Sequence, residues 1–187
     1  MNEHPVELNA ELAAMTSAEL QKWLQDAAKL WLAHDGLWFQ TVESSVGMQQ
    51  AITHDAEAWG RFSPIEARRI MQRLGIEPGG GIDALIRCLQ HRLYALLNRQ
   101  EVVERSDTHC VFRMKTCRVQ DARKRKGLPD FPCKEVGLVE YTTFAVTVDP
   151  RLQTRCVACP PDNHPDQWWC TWEFTLVGDP DATEANT

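Results

Sequence analysis

Apolar residues recur at three- and four-residue steps from Leu20 to Trp38, through Trp23, Leu24, Ala27, Leu30, Trp31 and Leu37, with His34 on the same stripe. That spacing predicts one face of a long amphipathic helix. Thr16-Ser17-Ala18-Glu19 is a capping box at its start, and Gly47 ends it. A more polar helix is predicted from Met48 to about Trp59. Ser63-Pro64-Ile65-Glu66 reads as a second capping box, with Pro at the first helical position, where its missing N–H does no harm. It opens a helix that carries Ile70 and Leu74 and stops at Gly75. After the loop Pro78–Gly81, the stripe Ile82, Leu85, Ile86, Leu89, Leu93, Leu96 and Leu97 predicts a fourth helix. Residues 16–100 therefore read as helical.

The period then falls to two. Cys110, Phe112 and Met114 share one face, and His109, Val111 and Arg113 the other, which predicts a strand with a hairpin partner at Glu101–Glu104. Cys117 to Lys126 reads as a short basic helix ended by Gly127. Cys133 to about Val146 is predicted as a helix, although Tyr141–Phe144 also suits a strand. Leu152–Val157 and Trp168–Val177 form a last pair of strands around a Pro-rich turn. The fold class is α+β: N-terminal helices packed with a small antiparallel sheet that ends in a Cys-bearing hairpin.

The length of 187 residues suits one domain over 16–177, with a flexible N-terminus over 1–15 and an acidic, disordered tail over 178–187. Lys and Arg total 20 against 26 Asp and Glu, so the net charge of -6 argues against nucleic-acid binding. No apolar run is long enough to span a membrane, and Met1–Ala14 lacks a secretory pattern. Seven cysteines without such a pattern point to a reducing, cytoplasmic setting, where thiols act as ligands, nucleophiles or core residues.

Those cysteines carry the candidate chemistry. A last hairpin symmetric about Asn163 sets Cys156 opposite Cys170, close enough for two thiolates to share a metal. Two ligand sets complete the site. One is local: Cys156, Cys159, His164 and Cys170. The other is distributed: Cys117 at a strand end, Cys133 at a helix start, and the pair Cys156 and Cys170. Four thiolates suit tetrahedral Zn(II), and an iron–sulfur cluster uses the same residue type. Cys88 and Cys110 are expected to pack in the core.

Two His-Asp pairs occur. His34 and Asp35, with Trp38 and Trp172, are candidate pocket residues, whereas His54 and Asp55 are expected on the solvated surface. The basic run Arg118, Arg123, Lys124, Arg125 and Lys126 reads as a solvated helix end.

The stretch Trp31-Leu32-Ala33-His34-Asp35-Gly36-Leu37-Trp38-Phe39 looks like an uncharacterised bacterial family, as do Cys156-Val157-Ala158-Cys159-Pro160-Pro161-Asp162 and Cys170-Thr171-Trp172-Glu173-Phe174. That family is similar to the L-2-amino-thiazoline-4-carboxylate hydrolase-like proteins. More distantly, the order Cys117, Cys133, Cys156, Cys170 resembles the 4-vinyl reductase domain, which implies a sheet-and-helix ligand-binding fold with a zinc-type cysteine site. The Cys-x-x-Cys-Pro-Pro turn departs from that pattern and raises the alternative that Cys159 replaces one of the four. The expectation is a metal-binding module, regulatory or small-molecule-binding, with Zn(II) and a small-molecule partner, and with a homodimer allowed. The alternative is a hydrolase of a small cyclic C–N substrate, using a Cys nucleophile or zinc-bound water.

Overall fold

The computed structural model describes Glu7 and residues 9–178; the expected loose ends at 1–6, at 8 and at 179–187 lie outside the described residues. The elements are α1 (Ala10–Ala13), α2 (Ser17–Val46), α3 (Met48–Leu74), α4 (Gly81–Leu89), a 3-10 turn (Leu93–Leu96), β1 (Gln100–Arg105), β2 (His109–Met114), α5 (Arg118–Arg125), α6 (Lys134–Val148), β3 (Leu152–Ala158) and β4 (Cys170–Leu176). The fold is α+β, with helices against an antiparallel sheet in the order β1-β2-β4-β3.

The N-terminal capping box forms as the sequence implies. Thr16 Oγ1 accepts from the Glu19 N–H, and the Glu19 carboxylate accepts from the Thr16 N–H at 2.8 Å. Helix α2 then runs to Gly47, whose φ of 85° is open to a residue without Cβ.

The second capping box does not form. The two helices expected over 48–75 are one, α3, with Pro64 inside it. A proline ring collides with the carbonyl of the residue four back and removes one ladder bond. Here that residue is Gly60, and its bare face lies against Val139 of α6: an added Cβ would sit 3.2 Å from Val139 Cγ1. Packing of α3 along α6 keeps the helix continuous, and Ser63, the expected cap, is buried inside it. The fourth predicted helix is shorter than expected. It breaks after Leu89, and Leu93–Leu96 form a 3-10 turn.

Helix α6 is the centre of the molecule, wedged between α3 and the sheet. Val136, Gly137, Tyr141, Phe144, Ala145 and Val148 are buried along it. Gly137 permits the closest approach, because a Cβ there would meet the Trp172 ring at 2.6 Å. Cys110, Phe112 and Met114 of β2 face this core as the alternation predicts, and Cys88 and Cys110 are fully buried. The outer sheet face is polar. His109 Nε2 lies 2.9 Å from Glu173 Oε1, and Arg155 pairs with the same carboxylate.

Two expectations about faces need correction. The stripe predicted as the buried side of α2 points outward: Leu20, Trp23, Leu24, Leu30, Leu37 and Trp38 are all exposed, Leu30 at 68% and Trp38 at 67%. Ala28 and Leu32 are the buried residues instead, and of the predicted stripe Trp31 alone turns inward, packing on Trp59 and Phe62 of α3. The last hairpin is also two residues out of the expected register. Cys156 stands opposite Trp172, and Cys170 opposite Met114 of β2. A bulge between Cys156 and Ala158 makes the hairpin asymmetric, while the Trp169 N–H bonds the Met114 carbonyl at 2.8 Å and seats the incoming strand on β2. A shift of two keeps each side chain on its face.

Candidate functional site

A cavity of about 240 Å³ lies among α2, α3, α5, α6 and β4. Its aromatic wall grows from a cluster of rings. Trp59 stacks on Tyr94 at 5.7 Å, Trp31 meets both edge-on, and Tyr141 stacks on Trp172 at 4.6 Å. Phe39 meets Phe131 edge-on at 4.7 Å on the side nearer α5.

That side is closed by α5 and the segment after it. Gln120 clamps Phe131 through paired bonds, Nε2 donating to the Phe131 carbonyl and Oε1 accepting from its N–H, both at 2.9 Å. Arg123, expected on a solvated helix end, is buried instead. Its Nη1 and Nη2 donate to Glu43 of α2 at 2.8 and 3.0 Å, and its Nε donates to the Pro129 carbonyl. This bidentate pair ties α5 across the cavity to α2, and Lys126 adds a bond to Gln40.

The polar lining comes from three helices: Asp35 of α2, Asp55 of α3 and Glu140 of α6. Burial raises Asp35 above the usual carboxylate range, against the pull of His34. Asp55 is pushed up to about 7, first by burial and then by the charges of Asp35 and Glu140, with a hydrogen bond from Trp59 opposing. Burial likewise raises Glu140. Behind it sits Arg92, fully buried, with Nε donating to Glu66 at 2.8 Å and Nη1 2.7 Å from Glu140 Oε1. The Arg92 guanidinium also lies over the rings of Phe144, Tyr141, Tyr94 and Trp59.

The floor of the cavity is sulfur. Cys117, Cys133, Cys159 and Cys170 all line it. Cys133 is the N-cap residue of α6, and its Sγ lies 3.5 Å from Cys159 Sγ. Cys159 is the hub, hydrogen-bonded to Cys133, Cys156 and Cys170, and these contacts with burial push its thiol far up. Cys156, accepting from Cys159, is lowered. The turn is pinned to the start of α6: the Lys134 N–H donates to Pro160 O at 3.0 Å, and Lys134 Nζ pairs with Asp162 at 2.9 Å. Trp172 Nε1 donates to Cys170 Sγ at 3.3 Å. Among the described residues, these thiols form a hydrogen-bonded cluster rather than a ready-made metal site.

The structure thus gathers Cys133, Cys156, Cys159 and Cys170. Cys117 lies close enough to feel the charges of Cys133 and Cys170, with burial the main cause of its raised thiol. His164 packs instead on Trp168 and Trp169, 6.0 and 5.1 Å away. Of the four expected pocket residues, Asp35 and Trp172 line the cavity, whereas His34 and Trp38 lie on the exposed side of α2. A helix turns about 100° per residue, so Asp35 faces inward while His34 beside it does not. Asp55, expected at the surface, lines the cavity, and Glu140 was not anticipated. The helical step from Asp55 to buried Trp59 was the available signal for the first.

A sequence-family model described as a family of unknown function (DUF6125) matches residues 13–176. The chain belongs to the DUF6125 family. No curated protein matches it by sequence. Among solved structures, this DUF6125 chain is similar to the phenol-responsive sensory domain of the transcription activator PoxR, determined with phenol. The TM-score is 0.52 at 15% identity, covering 77% of this chain and 73% of that one. At that identity the likeness is one of fold. Neither comparison names an amino-thiazoline hydrolase. The described residues hold no helix long and apolar enough to cross a membrane.

Proposed function

We propose that this DUF6125 protein is a small-molecule sensory module whose ligand occupies the aromatic cavity between α2, α3 and α6. The observation that carries the reading is the cavity itself: it is lined by stacked rings, closed by α5, and furnished with a few converging polar groups. The shared fold with a phenol-responsive sensory domain solved with phenol supports it. Calorimetric titration of the purified chain with one-ring compounds tests it, and saturable binding lost in a cavity-filling Val136→Trp variant is the expected result.

We further propose that Cys133, Cys156, Cys159 and Cys170 hold Zn(II). Tetrahedral zinc with bonds near 2.3 Å sets sulfurs about 3.8 Å apart, and the Cys133–Cys159 separation is of that size. The metal would join the start of α6, the turn after β3 and the start of β4, serving a structural role at the cavity floor. Cys117, on the cavity side of the group, is left outside the ligand set. The hydrolase alternative finds less support, because no histidine lines the cavity beside its thiols among the described residues.

The outward stripe of α2 supports the homodimer. Its exposed apolar residues extend over about 27 Å of helix, with Trp23, Leu30 and Leu37 at a seven-residue repeat, which suits packing against the same helix of a second copy.

A further inference from the structure

We propose that the cavity selects a protonated amine carried on a small aromatic body. The inference rests on the sensory reading above and specifies its ligand class. Asp35, Asp55 and Glu140 reach the same space from three helices, so the convergence is a property of the tertiary fold and not of one acidic segment.

The surrounding cations are occupied elsewhere or exposed. Arg92 is shared between Glu66 and Glu140, which leaves that buried trio one negative charge in excess. On α2, Lys29 pairs with Asp26, and His34 is exposed. Lys29, Arg118, Arg123 and Arg125 also line the cavity, but Arg123 is taken by Glu43, and the other three are exposed to solvent. Among the described residues, neither Asp35 nor Asp55 has an ion-pair partner. Glu140 is 7% exposed; its Oε1 lies 2.7 Å from Arg92 Nη1, and both that oxygen and Arg92 Nη2 lack a well-directed hydrogen bond. The buried wall around Asp35 and Asp55 is therefore short of positive charge and, Trp59 apart, of hydrogen-bond donors.

An ammonium group supplies both. It brings three donors, relieves the repulsion that adds to burial in keeping Asp55 high, and meets the faces of Trp59, Tyr94 and Tyr141, which attract cations. The volume sets the size. An apolar cavity of about 150 Å³ holds benzene, so about 240 Å³ suits one ring with a short amine arm. A neutral alcohol of the same shape gains only the ring packing, and a carboxylate is repelled.

The test is calorimetry on the full chain at pH 7.5 with 2-phenylethylamine, 2-phenylethanol, phenol and phenylacetate. The amine is expected to bind about tenfold or more tighter than the alcohol, with phenylacetate not binding. Asp55→Asn and Asp35→Asn, each checked for folding by circular dichroism, are expected to reduce that preference, weakening the amine more than 2-phenylethanol. Tighter binding of phenol or the alcohol, or an amine preference unchanged in both variants, would overturn the charge inference and leave the sensory reading standing. Failure of all four probes to bind would overturn both.

Discussion

The Gly137 Cα lies so close to Trp172 that a single added methyl would sit 2.6 Å from Cζ2 and 2.9 Å from Cη2 of the ring. The contact joins α6 to β4 at the centre of the sheet. Alanine normally favours a helix over glycine by about 1 kcal/mol, but overpacking a close-packed core costs about 1–3 kcal/mol. Gly137→Ala is therefore expected to lower stability in urea unfolding and to shift tryptophan fluorescence. An unchanged midpoint would mean that Trp172 has room to move.

Removal of Arg92 should be far more damaging. Its guanidinium keeps its charge against burial because Glu66 and Glu140 hold it, so Arg92→Met leaves two buried carboxylates facing each other. Breaking a buried pair in this way costs about 3–5 kcal/mol. Much of the loss should return in the double variant Arg92→Met/Glu140→Gln, measured by chemical denaturation.

The acids of the cavity predict an unusual pH dependence. A carboxyl raised in the fold binds its proton more tightly there than in the unfolded chain, so stability declines as pH rises from the unfolded value through the folded one. For Asp55 that window runs from the ordinary carboxylate value of 3.8 to about 7, and Asp35 and Glu140 act in the same direction. Asp55→Asn should flatten the decline and stabilise the protein at pH 8. Water reaches the half-buried carboxyl, so the gain is expected to be on the order of 1–2 kcal/mol. Thermal melts between pH 4 and 8 provide the measurement.

Metal content separates the cysteines. Cys156→Ala and Cys170→Ala are each expected to lose zinc by elemental analysis of protein purified without chelator, whereas Cys88→Ala and Cys117→Ala retain it. Zinc uptake should also release protons and strengthen with pH, because thiolates are the ligands. Full zinc in both hairpin variants would sink the assignment.

Leu30→Glu with Leu37→Glu places charge in the middle of the outward stripe of α2. The expected result is a shift from dimer to monomer in light scattering, with the helical signal unchanged. A stable dimer needs about 800 Å² covered on each partner, and the stripe contributes large, half-exposed side chains along most of α2.

Local signals carried much of this architecture. The Thr16 capping box, the stops at Gly47 and Gly75, and the alternation of Cys110, Phe112 and Met114 each depend on near neighbours, so each could be read from the chain. The continuity of α3 through Pro64 could not, because it depends on Gly60 meeting Val139 from a distant helix. The orientation of α2 was misread for a related reason. Periodicity finds an apolar stripe but does not say whether the stripe meets the core or a second molecule. Sulfur clustering was legible as a tendency, whereas the hub position of Cys159 required the bulge after Cys156. The acid trio was least legible, since Asp35, Asp55 and Glu140 share no motif and meet only when three helices pack.

Helix α2 runs for 30 residues, yet it meets the body of the protein along α3 and the 3-10 turn, with its far end tied by Glu43 to Arg123. An occupant gripping Asp35 near its midpoint, while Asp55 and Glu140 hold the other side, would act as a rivet through that arm. The presence of a small molecule would then be felt along the whole length of that arm, and by anything resting on its outer surface.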